Sequence, residues 1–243
     1  MKTNTLITNL VTFLSVVATT TVVSAQSACV PVSTVDNFNV SQYASAPWYI
    51  QQQAVNTYTS LEDNRCVTAQ YKLKDNSSYW WDFLGYWTYA LDVYNYAENT
   101  EGVSKGGNLC ADFDENMPSQ LEVAPCFVPK LAAGPYWIVA YQEGLDGYAL
   151  VAGGQPNNVS SEDDKICGPT GTDVCCKTGT GINNSGLWIL TRQTNPSNDL
   201  VDEVRDIAQQ KGFATSVLFD VVHDENCNVP DINEETSFLR LRK

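Results

Sequence analysis

The chain has 243 residues, 43% of them hydrophobic, with 28 acidic against 14 basic residues and a formal net charge of −14. So acidic a surface repels phosphate backbones, and no basic stretch interleaves with aromatics to offset it, which excludes nucleic acid as a partner. The length suits one well-cored domain.

The N-terminus carries Lys2, a mostly apolar run from Leu6 to Val23, and the small-residue pattern Val23-Ser24-Ala25 before Gln26. This predicts a secretory signal peptide over 1–25. A membrane anchor would need about 20 predominantly apolar residues, and Asn9 and Thr19-Thr20-Thr21 interrupt the run. Cleavage would remove one basic residue and no acidic one, leaving the mature chain slightly more acidic. No later segment is long and apolar enough to span a bilayer, so a soluble product is expected. All eight cysteines follow the signal. In an oxidising route that number predicts four disulfides, with on the order of 100 pairings open to sequence alone. Sequons at Asn39, Asn76, Asn158 and Asn183 agree with secretion if the host glycosylates.

From Pro47 onward, short runs rich in aromatic and β-branched residues, separated by Gly, Pro, Asn and Asp, predict eight strands. They cover 47–55, 64–73, 86–97, 103–113, 120–127, 135–142, 147–153 and 186–192. One helix follows, capped by Ser197 or Asn198, with Asp199 and Asp202 in its first turn, a stripe of Leu200, Val204, Ile207 and Ala208, and Gly212 as its stop. The stripe should pack outside the sheet. Eight consecutive antiparallel strands with mostly short connectors fit an up-and-down barrel, with a sandwich as the other solution. A barrel of that size can hold one small ligand. In 186–192 both phases are apolar (Leu187 and Ile189; Trp188 and Leu190), as expected where one face meets the helix and the other the cavity.

Several blocks then carry a resemblance: Asn37-Phe38-Asn39-Val40 leading to Tyr43 and Pro47-Trp48-Tyr49; Asn64-Arg65-Cys66-Val67-Thr68-Ala69-Gln70-Tyr71; Gly134-Pro135-Tyr136-Trp137-Ile138; and Leu187-Trp188-Ile189-Leu190-Thr191-Arg192. In this order, from Cys29 to Cys227, they resemble the lipocalins, specifically the apolipoprotein D and bacterial lipocalin branch. Two departures stand out. The glycine that the family places two residues before the tryptophan is absent, and 140–148 matches the second block only loosely.

The resemblance implies a lipocalin domain over 26–228, with a C-terminal tail over 229–243 expected to be disordered. It implies that Trp48 plugs the closed end of the barrel and that Arg192 packs across its indole. That would explain a tryptophan at the very start of a strand that continues as Gln51-Gln52-Gln53. It implies a Cys66–Cys227 disulfide and a bond from Cys29 to one of Cys167, Cys175 and Cys176, after which Cys110 and Cys126 pair. With the plug at one end, the open rim would consist of 56–63, 98–102, 128–134 and 154–185. The last connector is far longer than usual and carries Glu162-Asp163-Asp164. It reads equally as a lid or partner-facing surface and as an insertion held by cystines.

Strand alternation and the family together make Tyr71, Val93, Asn95, Trp137, Trp188 and Leu190 the candidate cavity lining. An apolar wall with a few hydroxyl and amide groups suits a hydrophobic ligand with one polar end. Burying about 300 Å² of ligand would contribute roughly 7 kcal/mol gross, which predicts micromolar binding.

Other chemistries find little footing. A zinc site lacks ligands, with His223 the sole histidine and no paired CxxC. Asp112-Phe113-Asp114-Glu115-Asn116 opens like a calcium loop, but Met117 and Val123 stand where Gly and Glu are needed, so a hairpin turn is expected. His223 has no GxSxG nucleophile to serve, and no carboxylate spacing marks a glycosidase. The aromatic run 79–87 is expected to pack beneath the barrel, a sugar-binding platform being the other reading. The sequence therefore predicts a secreted, non-catalytic carrier of a small hydrophobic molecule (fatty acid, sterol, retinoid or carotenoid), with no cofactor. Two alternatives remain open: a lipocalin-fold enzyme acting on a lipid or carotenoid, and an extracellular interaction protein using the acidic 154–185 loop against a receptor. A vacuole or plastid is the alternative destination.

Overall fold

The computed structural model describes residues 29–57, 60–74, 82, 84–160, 167–171, 173–181 and 183–230. The signal-peptide region, Asn76, the acidic run 162–164 and the tail beyond Pro230 lie outside the described residues.

Eight antiparallel strands close a barrel: β1 (Trp48–Ala54), β2 (Arg65–Leu73), β3 (Leu91–Glu98), β4 (Ser104–Asp114), β5 (Met117–Pro125), β6 (Gly134–Gln142), β7 (Tyr148–Ala152) and, after a two-stranded excursion of β8 (Asn158–Val159) with β9 (Cys176–Lys177), β10 (Leu187–Thr191). Each pairs with its neighbour in order, and β10 returns to β1 through Tyr49↔Thr191 and Ile50↔Leu190. The up-and-down barrel is thus realised and the sandwich is not. The third strand starts at Leu91 rather than Tyr86, because Asp82 accepts hydrogen bonds from the backbone N–H groups of Tyr86 and Trp87 and from Thr88 Oγ1, folding that stretch into a turn. The Asp112–Asn116 stretch forms the expected β4–β5 turn, in which Asp114 accepts from the Asn116 N–H.

Helix α2 (Asn198–Gln210) is capped by Ser197, whose Oγ accepts from Leu200 N–H. It ends before Gly212, whose φ of +90° suits glycine. Val204 and Ala208 are buried against Leu187, Ile189, Leu150 and Phe213, with Leu200 and Ile207 partly buried beside them. This outer core lies on one side of the β6–β7–β10 wall; an inner core that includes Trp48, Ile50, Tyr71, Leu121, Ile138, Val151 and Leu190 lies on the other. The doubly apolar phases of β10 are accounted for in this way. A short helix, α1 (Val40–Tyr43), capped by Asn39, brings Tyr43 to the base of the barrel.

Bulges break the period-two alternation where it matters. In β1, Ile50 faces Leu190 and Gln52 faces Ile189, so Gln51 is an extra residue. Ile50 and Gln53, three apart, therefore both line the interior. Val139 is the extra residue of β6, so Val139 and Ala140 both face the helix side while Ile138 and Tyr141 face inward.

The sequence reading missed β11 (Leu218–Asp220). Trp48 and Tyr49 pair with β2, but from Gln52 onward β1 pairs with β11 instead. The next residues bond to β2: Cys66 N–H donates to the Val222 carbonyl, and Val222 N–H donates to that of Asn64. The C-terminal segment thus fills a wedge in the wall where β1 and β2 splay apart. The Cys66–Cys227 disulfide and the 2.9 Å Arg65–Asp224 ion pair fasten it. The expected tail boundary is also corrected. Val229 packs against the Tyr94–Tyr96 cluster and the Pro230 carbonyl accepts from Gln70, so residues 229 and 230 belong to the folded domain.

Candidate functional site

The disulfides are Cys29–Cys176, Cys66–Cys227, Cys110–Cys126 and Cys167–Cys175, and no cysteine is free. Cys176 is the partner that the sequence left open for Cys29. Asn39, Asn158 and Asn183 are exposed. Asn39 uses its Oδ1 to cap α1, accepting from the Gln42 N–H.

At the base, Trp48 is fully buried and its indole N–H donates to the Tyr43 carbonyl at 3.0 Å. The Arg192 guanidinium carbon lies 3.6 Å from the centroid of the Trp48 ring. Its nitrogens donate to the carbonyls of Gln42, Tyr43, Ala46 and Pro47. Burial lowers the Arg192 pKa below its ordinary value, while Glu143, 3.7 Å away, pulls in the opposite direction. One cation thus ties the α1–β1 connection to the end of the last barrel strand.

Above this floor lies a cavity of about 870 Å³, within the usual range for a small-molecule site. Tyr71, Val93, Asn95, Trp188 and Leu190 line it. Trp137, the sixth candidate, does not: it packs in the outer cluster with the helix. In β6 the residues of both phases are large and aromatic, so hydrophobicity cannot assign the phase. Register does so: Trp137 sits opposite outward-facing Ala152, and Tyr136 opposite inward-facing Leu121. Tyr136 takes the place in the cavity and packs 5.9 Å, centroid to centroid, from Trp188.

Three hydroxyls meet at the cavity floor. Tyr136 Oη is 2.6 Å from Tyr71 Oη and 3.1 Å from Tyr43 Oη. Burial first, then Tyr136, raises the pKa of Tyr43 and Tyr71 well above the ordinary tyrosine value, Tyr43 and Arg192 opposing the shift at Tyr71; burial raises that of Tyr136 as well. All three therefore stay protonated at physiological pH. Higher on the wall, Asn95 projects its amide into the cavity opposite Gly107, a position with open space where a Cβ would be. Gln53 Nε2 donates to Asn64 Oδ1 at 2.6 Å.

The mouth is built by loops. Thr57, Asp63, Asn184 and Ser185 line it, and Thr57 N–H donates to the Thr180 carbonyl, joining the first and last open-end connectors across the opening. Among the described residues of the long connector, two parts stand out. Its 167–178 portion is pinned outside by its two cystines, by Gly168 N–H to the Gln209 carbonyl and by Cys176 N–H to that of Gly212. Residues 178–186 form a tight turn at the rim, with Thr178 Oγ1 donating to the Gly186 carbonyl and accepting from the Gly186 N–H. The 126–133 connector departs from the expected rim. It folds back along the outer wall, where Lys130 N–H donates to the Tyr86 carbonyl and Lys130 Nζ pairs with Asp112. Tyr86 and Trp87 remain more than a third exposed, in edge contact with one another, rather than packed beneath the barrel.

His223, the sole histidine, lies on the segment after β11. Its Nε2 donates to the Ile50 carbonyl at 2.8 Å, and its ring meets Tyr49 edge-on. Burial lowers its pKa, against opposing contributions from the Ile50 carbonyl and Asp224. It fastens the tail.

The sequence matches no protein-family model and no curated protein. Among solved structures, lobster apocrustacyanin A1 aligns over 84% of this chain and 96% of its own, with 14% identity and a TM-score of 0.50. Insecticyanin from the tobacco hornworm Manduca sexta aligns over 82% and 88%, with 13% identity and a TM-score of 0.50. Apocrustacyanin C2 aligns over 84% and 96%, with 13% identity and the same TM-score. These are lipocalin-fold proteins, and the likeness at such identities establishes that the chain has the lipocalin fold.

Proposed function

We propose that this protein is a secreted lipocalin that binds and carries a small hydrophobic molecule in its barrel, and that it falls in the apolipoprotein D and bacterial lipocalin branch. The observation that carries this is the cavity of about 870 Å³ between the Trp48 floor and the 178–186 turn. Its wall is mostly apolar, with convergent hydroxyl and amide groups from Tyr71, Tyr136 and Asn95, the pattern of a pocket that orients an apolar guest. A fatty acid, sterol, retinoid or carotenoid has the required mix of long apolar body and small polar end. The four cystines and the exposed sequons support export. A carrier role suits the one histidine, which is engaged with a backbone carbonyl rather than aimed into the cavity.

Native mass spectrometry of the protein purified from its own source, with extraction of co-purified small molecules, tests the reading. A stoichiometric apolar guest, displaceable by a competitor that quenches Trp188, is expected. An empty barrel that also ignores fatty acids, sterols, retinoids and carotenoids would overturn it. Deleting 161–166 separates the carrier from a receptor-binding role of the long loop: the guest should be retained.

A further inference from the structure

We infer that the Tyr43, Tyr136 and Tyr71 hydroxyls form a head-group subsite, so that an apolar ligand enters polar end first and is held there through an uncharged hydrogen-bond acceptor, a carbonyl above all. The inference rests on the carrier reading and names its ligand class and orientation.

Three elements that are far apart in the chain deliver these groups to one point: α1 supplies Tyr43 from below, β2 supplies Tyr71 and β6 supplies Tyr136. The surroundings are apolar, with Phe38, Trp48, Val93, Leu190 and Ile138 in the same cluster. Phenylalanine would fill that space without the cost of desolvating three hydroxyls. Each tyrosine has one proton to donate, and the two contacts, Tyr43 to Tyr136 and Tyr136 to Tyr71, use two of the three. Tyr71 and Tyr136 line the cavity whereas Tyr43 does not. Two arrangements use the third proton: Tyr43 donates to Tyr136 in both, and either Tyr136 donates to Tyr71 and Tyr71 to the cavity, or Tyr71 donates to Tyr136 and Tyr136 to the cavity. A chain of this kind strengthens its last donor by polarisation. Tyr43, the one hydroxyl of the three away from the cavity, would thus act through the other two.

Charge decides what the donor receives. Among the described lining residues the one charged side chain is Asp63, at the mouth, which repels a carboxylate. The nearest cation, Arg192, lies against the Trp48 ring with its nitrogens committed to four backbone carbonyls. A carboxylate would be desolvated against hydroxyls alone, without a paired cation. A carbonyl loses little hydration on entry and accepts the bond. The same asymmetry sets the orientation: the uncharged hydroxyl donors are deep and the carboxylate is at the rim.

The test uses the full mature chain and three probes of equal chain length, methyl decyl ketone, dodecane and laurate, titrated by calorimetry against the native protein and Tyr71→Phe and Tyr136→Phe variants. The native protein should prefer the ketone to both others. Tyr71→Phe and Tyr136→Phe should both weaken ketone binding, the larger loss being about tenfold and marking the donor that faces the cavity, and both should leave dodecane unchanged. Laurate binding tightest, or equal losses for ketone and dodecane, would overturn the subsite while the carrier reading stands. If the native protein binds none of the probes and carries no guest from its source, both readings fall together.

Discussion

The two ends of the barrel are held by different physics. The floor is a continuous packed cluster in which Trp48, Tyr43, Leu91, Leu121 and Ile138 are essentially inaccessible and one guanidinium gathers four carbonyls. The mouth has little such packing. Cystines, glycines that admit close approach, and single hydrogen bonds such as Thr57 to Thr180 hold its loops in place. Packed cores resist deformation in every direction, whereas crosslinks and sparse hydrogen bonds fix the chain path and leave the opening able to move. On the carrier reading, that division puts rigidity where the guest would be oriented and give where it would pass.

The largest effect should come from the floor. Trp48→Ala is expected to cost about 3 to 5 kcal/mol by opening a cavity and stranding Arg192, measured by chemical denaturation; a loss no larger than that from a change at the rim would dissolve the contrast. Removing the Cys66–Cys227 disulfide with paired alanines should cost about 2 to 5 kcal/mol and free the wedge, read as faster amide exchange in β11 and in β1 beyond Gln52. At the mouth, Gly186 has a φ of +109° and a Cβ there would run into the Trp188 ring. Gly186→Ala should cost about 1 to 3 kcal/mol and shift the Trp188 emission and ligand affinity while leaving the floor intact. Smallest is a pH effect at His223, whose folded pKa lies below the ordinary 6.5. Above that value both folded and unfolded chains are neutral there. As the pH falls through it, the unfolded chain takes the proton first, so stability declines until the buried ring is itself protonated. His223→Asn should flatten that decline as the pH falls below the ordinary histidine value, measured by chemical denaturation across a pH series.

Much of this was legible in the sequence because several local signals agreed. The eight strands and α2 have strong alternation or periodicity with clear punctuation, and the Trp48–Arg192 stack followed from the lipocalin resemblance. What escaped is instructive. Gln51 and Val139 are bulge residues, and no residue type announces a bulge, so the inward phase of the Gln run could not be assigned. Trp137 and Tyr136 are adjacent aromatics on opposite faces, and burial on both faces removes the polarity difference that normally tells them apart. The tyrosine group was invisible for another reason, since its members lie on three elements and converge only once the register is set. β11 is three residues long, with Phe219 and Asp220 exposed, too short to show a period. The resemblance did supply its anchor, the Cys66–Cys227 bond.

That wedge strand also dictates a schedule. The seam between the first two strands is completed by residues that follow every strand of the barrel and α2 in the chain. The barrel wall therefore cannot be finished until the segment after α2 has been made. Until then β1 has a ragged edge of unpaired backbone near the mouth, the kind of edge that recruits other chains. The cystine across a sequence separation of 161 residues then acts as the final fastening, made only once that segment has found its slot.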